Sequence, residues 1–316
     1  MIIILFPRNY MSHYKLNHFL DGFELSENSL NEILNLSETL LEERKQGLTR
    51  DVFKGKTLAL LFDKPSLRTR LSFTLAMNEL GGNVIETPSS LRKNEDLEDV
   101  ASVMSRYVHA VIIRTHEHEL IKNYVQFSTI PVINGLTNEH HPCQSLADIL
   151  TLKQKFHKLE NLKLAYIGDG NNILHSLMIL APLLGIDVHY SCPSGYQPDG
   201  KLLEWCQTRR TCKGKIKSFK TPQEAVHKVD ALYTDVWTSM GFEHENASRI
   251  QAFQGYQLNQ GLFSLAQPHA IILHCMPMVR EQEITTEMIR HPNSAIYQQA
   301  ENRLHTQKAI LLNVLG

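Results

Sequence analysis

The chain has 316 residues, 42% of them hydrophobic and 21% charged, which excludes a disordered or fibrous chain and leaves apolar material for about two domains. Its 32 lysines and arginines nearly cancel 33 acids, for a net charge of -1, so no global field favours nucleic acid or an acidic membrane surface as partner. The five cysteines (Cys143, Cys192, Cys206, Cys212, Cys275) are odd in number and scattered, which fits neither a disulfide framework nor a zinc knuckle and suits a reducing cytoplasm.

In chain order, residues 1–6 (MIIILF) are interrupted by Pro7, short of the roughly 7–15 apolar residues of a secretory signal. We read them as a leader upstream of a start near Met11 or Tyr14. No later run approaches the roughly 20 apolar residues of a membrane span. A helix is predicted over 26–43, capped by Ser26 or Ser29, with Leu30, Ile33, Leu34, Leu36 and Leu40 on its apolar side. Residues 57–62 (TLALLF) form a buried strand, and after a turn at 63–65 a helix runs over 66–80 and stops at Gly81-Gly82. Strand ends follow at 111–114 and 131–134, then a long helix over 141–157. A second α/β run opens with the strand 162–167 and continues through strands at 188–192, 231–234 and 270–274 to a final helix near 300–312. Alternating helices and short continuous apolar strands imply an α/β fold with buried parallel sheets. The change of unit near 140–160 marks two lobes joined by a helix, with the cleft between them as the ligand site.

Five segments carry chemistry. Ser66-Leu67-Arg68-Thr69-Arg70 opens a helix after a buried strand, where free backbone N–H groups, hydroxyls and two guanidiniums suit a phosphate dianion. His141-Pro142-Cys143-Gln144 places Pro at the first helical position, His141 at the cap, and His141 and Gln144 on one face, where they could meet a carbonyl and its amino group. Gly168-Asp169-Gly170-Asn171-Asn172 begins like a dinucleotide fingerprint, but Ile173 stands where the third glycine belongs and no acid ends the next strand. A nicotinamide is therefore disfavoured, and the asparagines suit a small polar ligand. The segments Asp235-Val236-Trp237-Thr238-Ser239-Met240-Gly241 and His274-Cys275-Met276-Pro277 put a carboxylate and a thiol at strand ends, able to orient an amine. His116, His118, Cys206 and Cys212 lack the further ligands of a metal site and read as surface or packing residues, and His140 as a solvated loop residue.

Taken in order, SLRTR, HPCQ, GDGNN, DVWTSMG and HCMP resemble the motif series of the aspartate/ornithine transcarbamylase family, over nearly the whole chain from Tyr14 to Leu312. The last two motifs match its ornithine branch and are lacking in its aspartate branch. The resemblance implies an α/β fold of two doubly wound lobes, each a mostly parallel sheet flanked by helices, joined by interdomain helices. One lobe (1–140, with a C-terminal helix at about 296–316 packing back on it) would bind carbamoyl phosphate, and the other (141–295) ornithine. It implies transfer of the carbamoyl group to the δ-amino group of L-ornithine, giving L-citrulline and phosphate, in arginine biosynthesis. Carried over residue by residue, Ser66, Leu67, Arg68, Thr69, Arg114, His141, Gln144, Cys275, Met276 and Arg303 would bind carbamoyl phosphate. Asn172, Asp235, Ser239 and Met240 would bind ornithine, and Arg68, Arg114, His141, Cys275 and Arg303 would be catalytic. No metal and no cofactor is implied; the assembly would be a homotrimer or a multiple of trimers. Two departures stand out: Met276 replaces the family's leucine, and the segment 83–93 is shorter than the family's loop to a neighbouring site. A relative acting on N-acylated ornithine or on a diamine is disfavoured by Asp235 and the SMG loop. A non-catalytic paralogue is disfavoured by the intact set Arg68, Arg114, His141, Gln144, Cys275 and Arg303.

Overall fold

The computed structural model describes residues 15–63, 66–87, 95–239 and 243–316. The leader, the end of the turn at 63–65, most of the short segment after Thr87, and Met240 with Gly241 lie outside the described residues.

The first lobe runs α1 (Glu27–Lys45), β1 (Thr57–Phe62), α2 (Leu67–Glu79), β2 (Asn83–Thr87), α3 (Leu97–Tyr107), β3 (Ala110–Arg114), α4 (His118–Phe127) and β4 (Val132–Leu136). Helix α5 (Pro142–Phe156) leads to β5 (Lys163–Ile167), α6 (Asn172–Leu180), β6 (Asp187–Ser191), α7 (Gly200–Thr208), β7 (Ile216–Ser218), α8 (Pro222–Val226) and β8 (Ala231–Thr234). The chain closes with α9 (Asn246–Ala252), α10 (Gln260–Phe263), β9 (Ile271–His274), α11 (Thr286–Ile289) and α12 (Ile296–Leu315). Local signals explain the helix starts: Ser26 and Ser29 form a reciprocal capping box on α1, Ser66 caps α2 through Thr69 N–H, and Asn171 caps α6.

Both sheets are parallel, in the orders β2-β1-β3-β4 and β7-β6-β5-β8-β9. Their central strands are buried on both faces, as parallel strands between helices must be. In each sheet the chain turns outward on one side and then returns to the other, leaving a crevice at the carboxyl ends of β1 and β3, and of β5 and β8. Such switch points are where open α/β sheets take ligands, because flanking loops diverge there. Arg114 ends β3 in register with Phe62, and Thr234 ends β8 beside Ile167 and His274.

The apolar core has three parts. One cluster lies on the outer face of the first sheet, around Val111 and Tyr124, and another on the outer face of the second, around Leu232 and Ile272. The third is shared between the lobes, joining Leu58 and Phe73 to Leu146, Leu150, Leu174, Leu177 and Leu311. Helix α12 is longer than the 300–312 expected. It packs along α5, α1 and α2 and touches β9, so it bridges elements of both halves.

Two local expectations are corrected. His141 occupies the cap of α5 but makes no side-chain capping bond; its backbone N–H instead donates to Ser176 Oγ on α6 (2.8 Å). His140 is not a solvated loop residue. The Thr137 hydroxyl accepts its backbone N–H (3.1 Å) and folds the loop inward, so the ring is buried edge-on to buried His118, with centroids 4.7 Å apart.

Candidate active site

The anion side is assembled from three elements. Helix α2 brings Ser66, whose side chain accepts from Thr69 N–H (3.2 Å), and Arg68 in its first turn. Strand β3 ends in buried Arg114, and α12 supplies buried Arg303, whose Nη2 donates to Thr69 Oγ1 (2.7 Å). The three guanidiniums lie close enough to repel one another. Burial, then Arg303 and Arg68, lowers the pKa of Arg114 to about 9, still a cation at neutral pH; burial is likewise the main cause lowering Arg68 and Arg303. Concentrated, partly desolvated positive charge of this kind is stabilised by a bound anion. The second guanidinium expected here, Arg70, instead pairs with Glu86 (2.6 Å). Leu67 directs its side chain largely to solvent, leaving its backbone as its means of contact at the helix start.

His141 and Gln144 stand at the start of α5, both buried. Burial, then Arg303 and Arg114, pushes the His141 pKa well below the usual range, so the imidazole is neutral. His141 Nδ1 and Gln144 Oε1 are buried and have no protein hydrogen-bond partner. Gln144 Nε2 donates to Asp148 Oδ1 (2.8 Å) one turn later.

Across the crevice, Asp235 follows β8 and Cys275 follows β9, and the two meet: Cys275 Sγ donates to Asp235 Oδ1 (2.9 Å). Burial, then Asp235, raises the thiol pKa well above its ordinary value, so Cys275 is a neutral donor. Asn171 Nδ2 donates to Asp235 Oδ2 (2.8 Å), and Tyr166 O–H to Asn171 Oδ1 (3.1 Å). Asn172, expected as a ligand residue, donates from Nδ2 to the Thr137 carbonyl (2.5 Å), tying α6 to the first lobe. Ser239 is half-buried in the loop after β8, and Met276 packs its side chain on the cluster around Ile272. The glycines of GDGNN are explained by backbone geometry. Gly168 has φ 140°, and a Cβ on Gly170 would lie 2.3 Å from Pro198 N, so the turn is packed against protein where a fingerprint turn would meet a cofactor.

Asp235, His274 and Cys275 present ligand atoms within 4.8 Å of one another, the one such group among the described residues. Both His274 nitrogens are engaged, Nδ1 by Met276 N–H (2.9 Å) and Nε2 by Glu283 (3.1 Å), which argues against it as a ligand. Other residues were not evident from the sequence motifs. Arg249 of α9 binds Asp169 (2.7 Å), Glu245 (2.8 Å) and the Trp237 carbonyl (3.0 Å), fastening the loop after β8 to the GDGNN turn. Asp148 and Gln299 lie behind Gln144, and the signal for Asp148 was an acid spaced four residues from a motif residue on an apolar helix.

Comparison with known proteins agrees with this geometry. The family model described as aspartate/ornithine carbamoyltransferase, carbamoyl-P binding domain, matches residues 17–154, and that of the Asp/Orn binding domain matches 160–314. An ornithine carbamoyltransferase of Archaeoglobus fulgidus is 42% identical over 304 residues, covering 95% of this chain and 98% of that one. One from Bacillus subtilis is 45% identical over 296 residues, 92% of each. Among solved structures, ornithine carbamoyltransferase from Pyrococcus furiosus superposes with a TM-score of 0.92 at 40% identity, covering 95% of this chain and 97% of that one. The Thermus thermophilus enzyme gives 0.86 at 38%, covering 95% and 99%. With both domain models matched in order and relatives of this identity aligned nearly end to end, the chain belongs to the aspartate/ornithine carbamoyltransferase family.

Proposed function

We infer that this enzyme transfers the carbamoyl group of carbamoyl phosphate to the δ-amino group of L-ornithine, giving L-citrulline and phosphate. The observation that carries the reading is the convergence of Arg68, Arg114 and Arg303, from α2, β3 and α12, near the Asp235–Cys275 pair, with Cys275 within electrostatic range of both Arg68 and Arg303. An anion subsite thus adjoins an amine-orienting subsite at the carboxyl ends of both sheets.

In this mechanism the first lobe (1–140, with α12 at about 296–316) holds carbamoyl phosphate and the second (141–295) holds ornithine. Ser66, Arg68 and Thr69, with the Leu67 backbone, receive the phosphate. Arg114, neutral His141 and Arg303 face the carbamoyl oxygen and stabilise its developing charge, and Gln144 takes the carbamoyl nitrogen. Asp235 receives the α-amino group, aided by Asn172, Ser239 and Met240. The Cys275 thiol fixes Asp235 and, with the Met276 backbone, borders the reacting carbon. The δ-ammonium group, with a solution pKa near the roughly 10.4 of lysine, must lose a proton before attack. The neutral amine then adds to the carbonyl carbon, and collapse of the tetrahedral adduct breaks the C–O bond to phosphate, which accepts the remaining proton. Closure of the cleft would protect the acyl phosphate from water. The reading places the reaction in arginine biosynthesis in the cytoplasm.

A homotrimer, or a multiple of it, follows from the same reading. Leu67, Leu71 and Leu75 form one stripe along α2, 67%, 51% and 42% exposed. Such an exposed apolar stripe at the helix that carries the anion-binding motif suits burial against another copy. Among the described residues, no helix is long and apolar enough to cross a membrane.

The test supplies carbamoyl phosphate with ornithine, N-acetylornithine, putrescine or aspartate and measures the carbamoylated product. Citrulline from ornithine is expected. Product from putrescine or N-acetylornithine alone would replace the amino-acid assignment.

A further inference from the structure

Asp148 is fully buried in α5, flanked in the chain by Leu146, Ala147, Ile149 and Leu150, with Gln144, Gln299, Tyr233 and Arg303 acting on its carboxyl group; a buried acid needs such a reason. Its Oδ1 accepts two amide donors, Gln144 Nε2 (2.8 Å) and Gln299 Nε2 (2.6 Å). Gln299 is itself locked, since its Oε1 accepts the backbone N–H of His274 (2.8 Å), the residue before Cys275. A line of three side chains therefore runs from the end of β9 through α12 to α5 and finishes at Gln144.

An amide side chain has two ends, donor and acceptor, and rotation exchanges them. Asp148 Oδ1 can only accept from Gln144, so the NH2 end of Gln144 is committed to it. What remains is Oε1, an acceptor that is buried and has no protein partner. Burial raises the Asp148 carboxyl to about 7, and a proton on Oδ2 would leave the acceptor role of Oδ1 intact.

We propose that Asp148 is a positioning residue that fixes Gln144 as a hydrogen-bond acceptor, so that the site selects an acyl phosphate bearing an amide N–H over one bearing a methyl group. The proposal rests on the carbamoyl phosphate reading above. Its physical basis is that a buried acceptor left without a donor is penalised, so a ligand lacking the N–H is rejected more strongly than shape alone would dictate.

The experiment measures equilibrium binding of phosphonoacetamide, of its methyl isostere 2-oxopropylphosphonate, and of inorganic phosphate. Wild type is expected to prefer the amide. In Asp148→Leu the preference should shrink by about 5–150-fold; an effect on the anion subsite through Arg303, which Asp148 influences, changes phosphate and both analogues alike and cancels in the ratio. Asp148→Asn should retain the wild-type preference, since its amide oxygen offers the same acceptor at the Oδ1 position. A preference that survives in Asp148→Leu, or is lost equally in Asp148→Asn, overturns the proposal. If Asp148→Leu fails to fold, Gln144→Met decides: loss of preference supports the assignment and its retention overturns it. Equal binding of the two analogues by wild type overturns the selectivity alone. No binding of either analogue or of phosphate overturns the underlying site reading, and the proposal with it.

Discussion

Cys275 and Asp235 behave as one unit, a buried neutral thiol donating to a carboxylate that also accepts from Asn171 and from Val236 N–H. Removing the donor leaves that carboxylate one partner short, a loss of about 1–3 kcal/mol for a buried group. Cys275→Ala should therefore lower kcat/KM for ornithine by about 5–150-fold, while Cys275→Ser, which keeps a donor, should lose less; steady-state kinetics in ornithine checks both. Arg68→Ala should abolish phosphate-dependent binding with the circular dichroism spectrum unchanged, and unchanged carbamoyl phosphate affinity would show the anion site to be elsewhere. Most candidate site residues were legible as motifs because they sit at strand ends or helix starts, where a short pattern signals exposed backbone groups. The pairings of Asp148 with Gln299 and of Asn171 with Asp235 were not, for a physical reason. Their chemistry is defined by partners 151 and 64 positions away, between Gln299 and Asp148 and between Asn171 and Asp235, and no local pattern encodes such pairs. Arg303 had no local signal either and was reached only through family resemblance.

The elements themselves were largely legible from apolar periodicity, and β1, β8 and the N-cap of α1 fell where expected. The order of strands within each sheet was not, since a one-dimensional pattern does not say on which side of β1 the chain returns. The loop after β8 shows how a single residue outside any motif can govern an element. Arg249 reaches from α9 to Asp169, Glu245 and the Trp237 carbonyl while its guanidinium lies over the Tyr196 ring, 4.8 Å from the centroid. Breaking a buried pair of this kind costs about 3–5 kcal/mol because it strands the other charge. Arg249→Ala should accordingly raise KM for ornithine far more than for carbamoyl phosphate, and should speed proteolytic cleavage between residues 236 and 245. Equal effects on both substrates would mean that Arg249 supports the lobe as a whole.

For the whole molecule, pH acts through buried groups of opposite sign. Burial beside His118 lowers the His140 pKa to about 3, so the folded state resists protonation that the unfolded chain accepts. Its contribution is present above the unfolded value near 6.5 and is lost as pH falls toward 3. Asp148 works the other way: its pKa, raised to about 7, gives a contribution present below about 3.9 and lost as pH rises through 7. Replacing His140 by Phe should flatten the fall of Tm between about pH 6.5 and 3, measured by calorimetry, and leave the alkaline side unaltered. At the same scale, Leu71→Glu on the α2 stripe should shift the sedimenting species toward a single chain. Helix α12 sets a different kind of constraint. It follows both sheets in the chain yet carries Arg303 to Thr69 and Gln299 to His274. During synthesis each sheet can form as its strands emerge, but the proposed anion pocket would stay incomplete until residue 303 has cleared the ribosome. On the proposed reading a half-made chain would lack one of the three guanidiniums that hold the acyl phosphate, and so would not turn it over before the cleft that shields it exists.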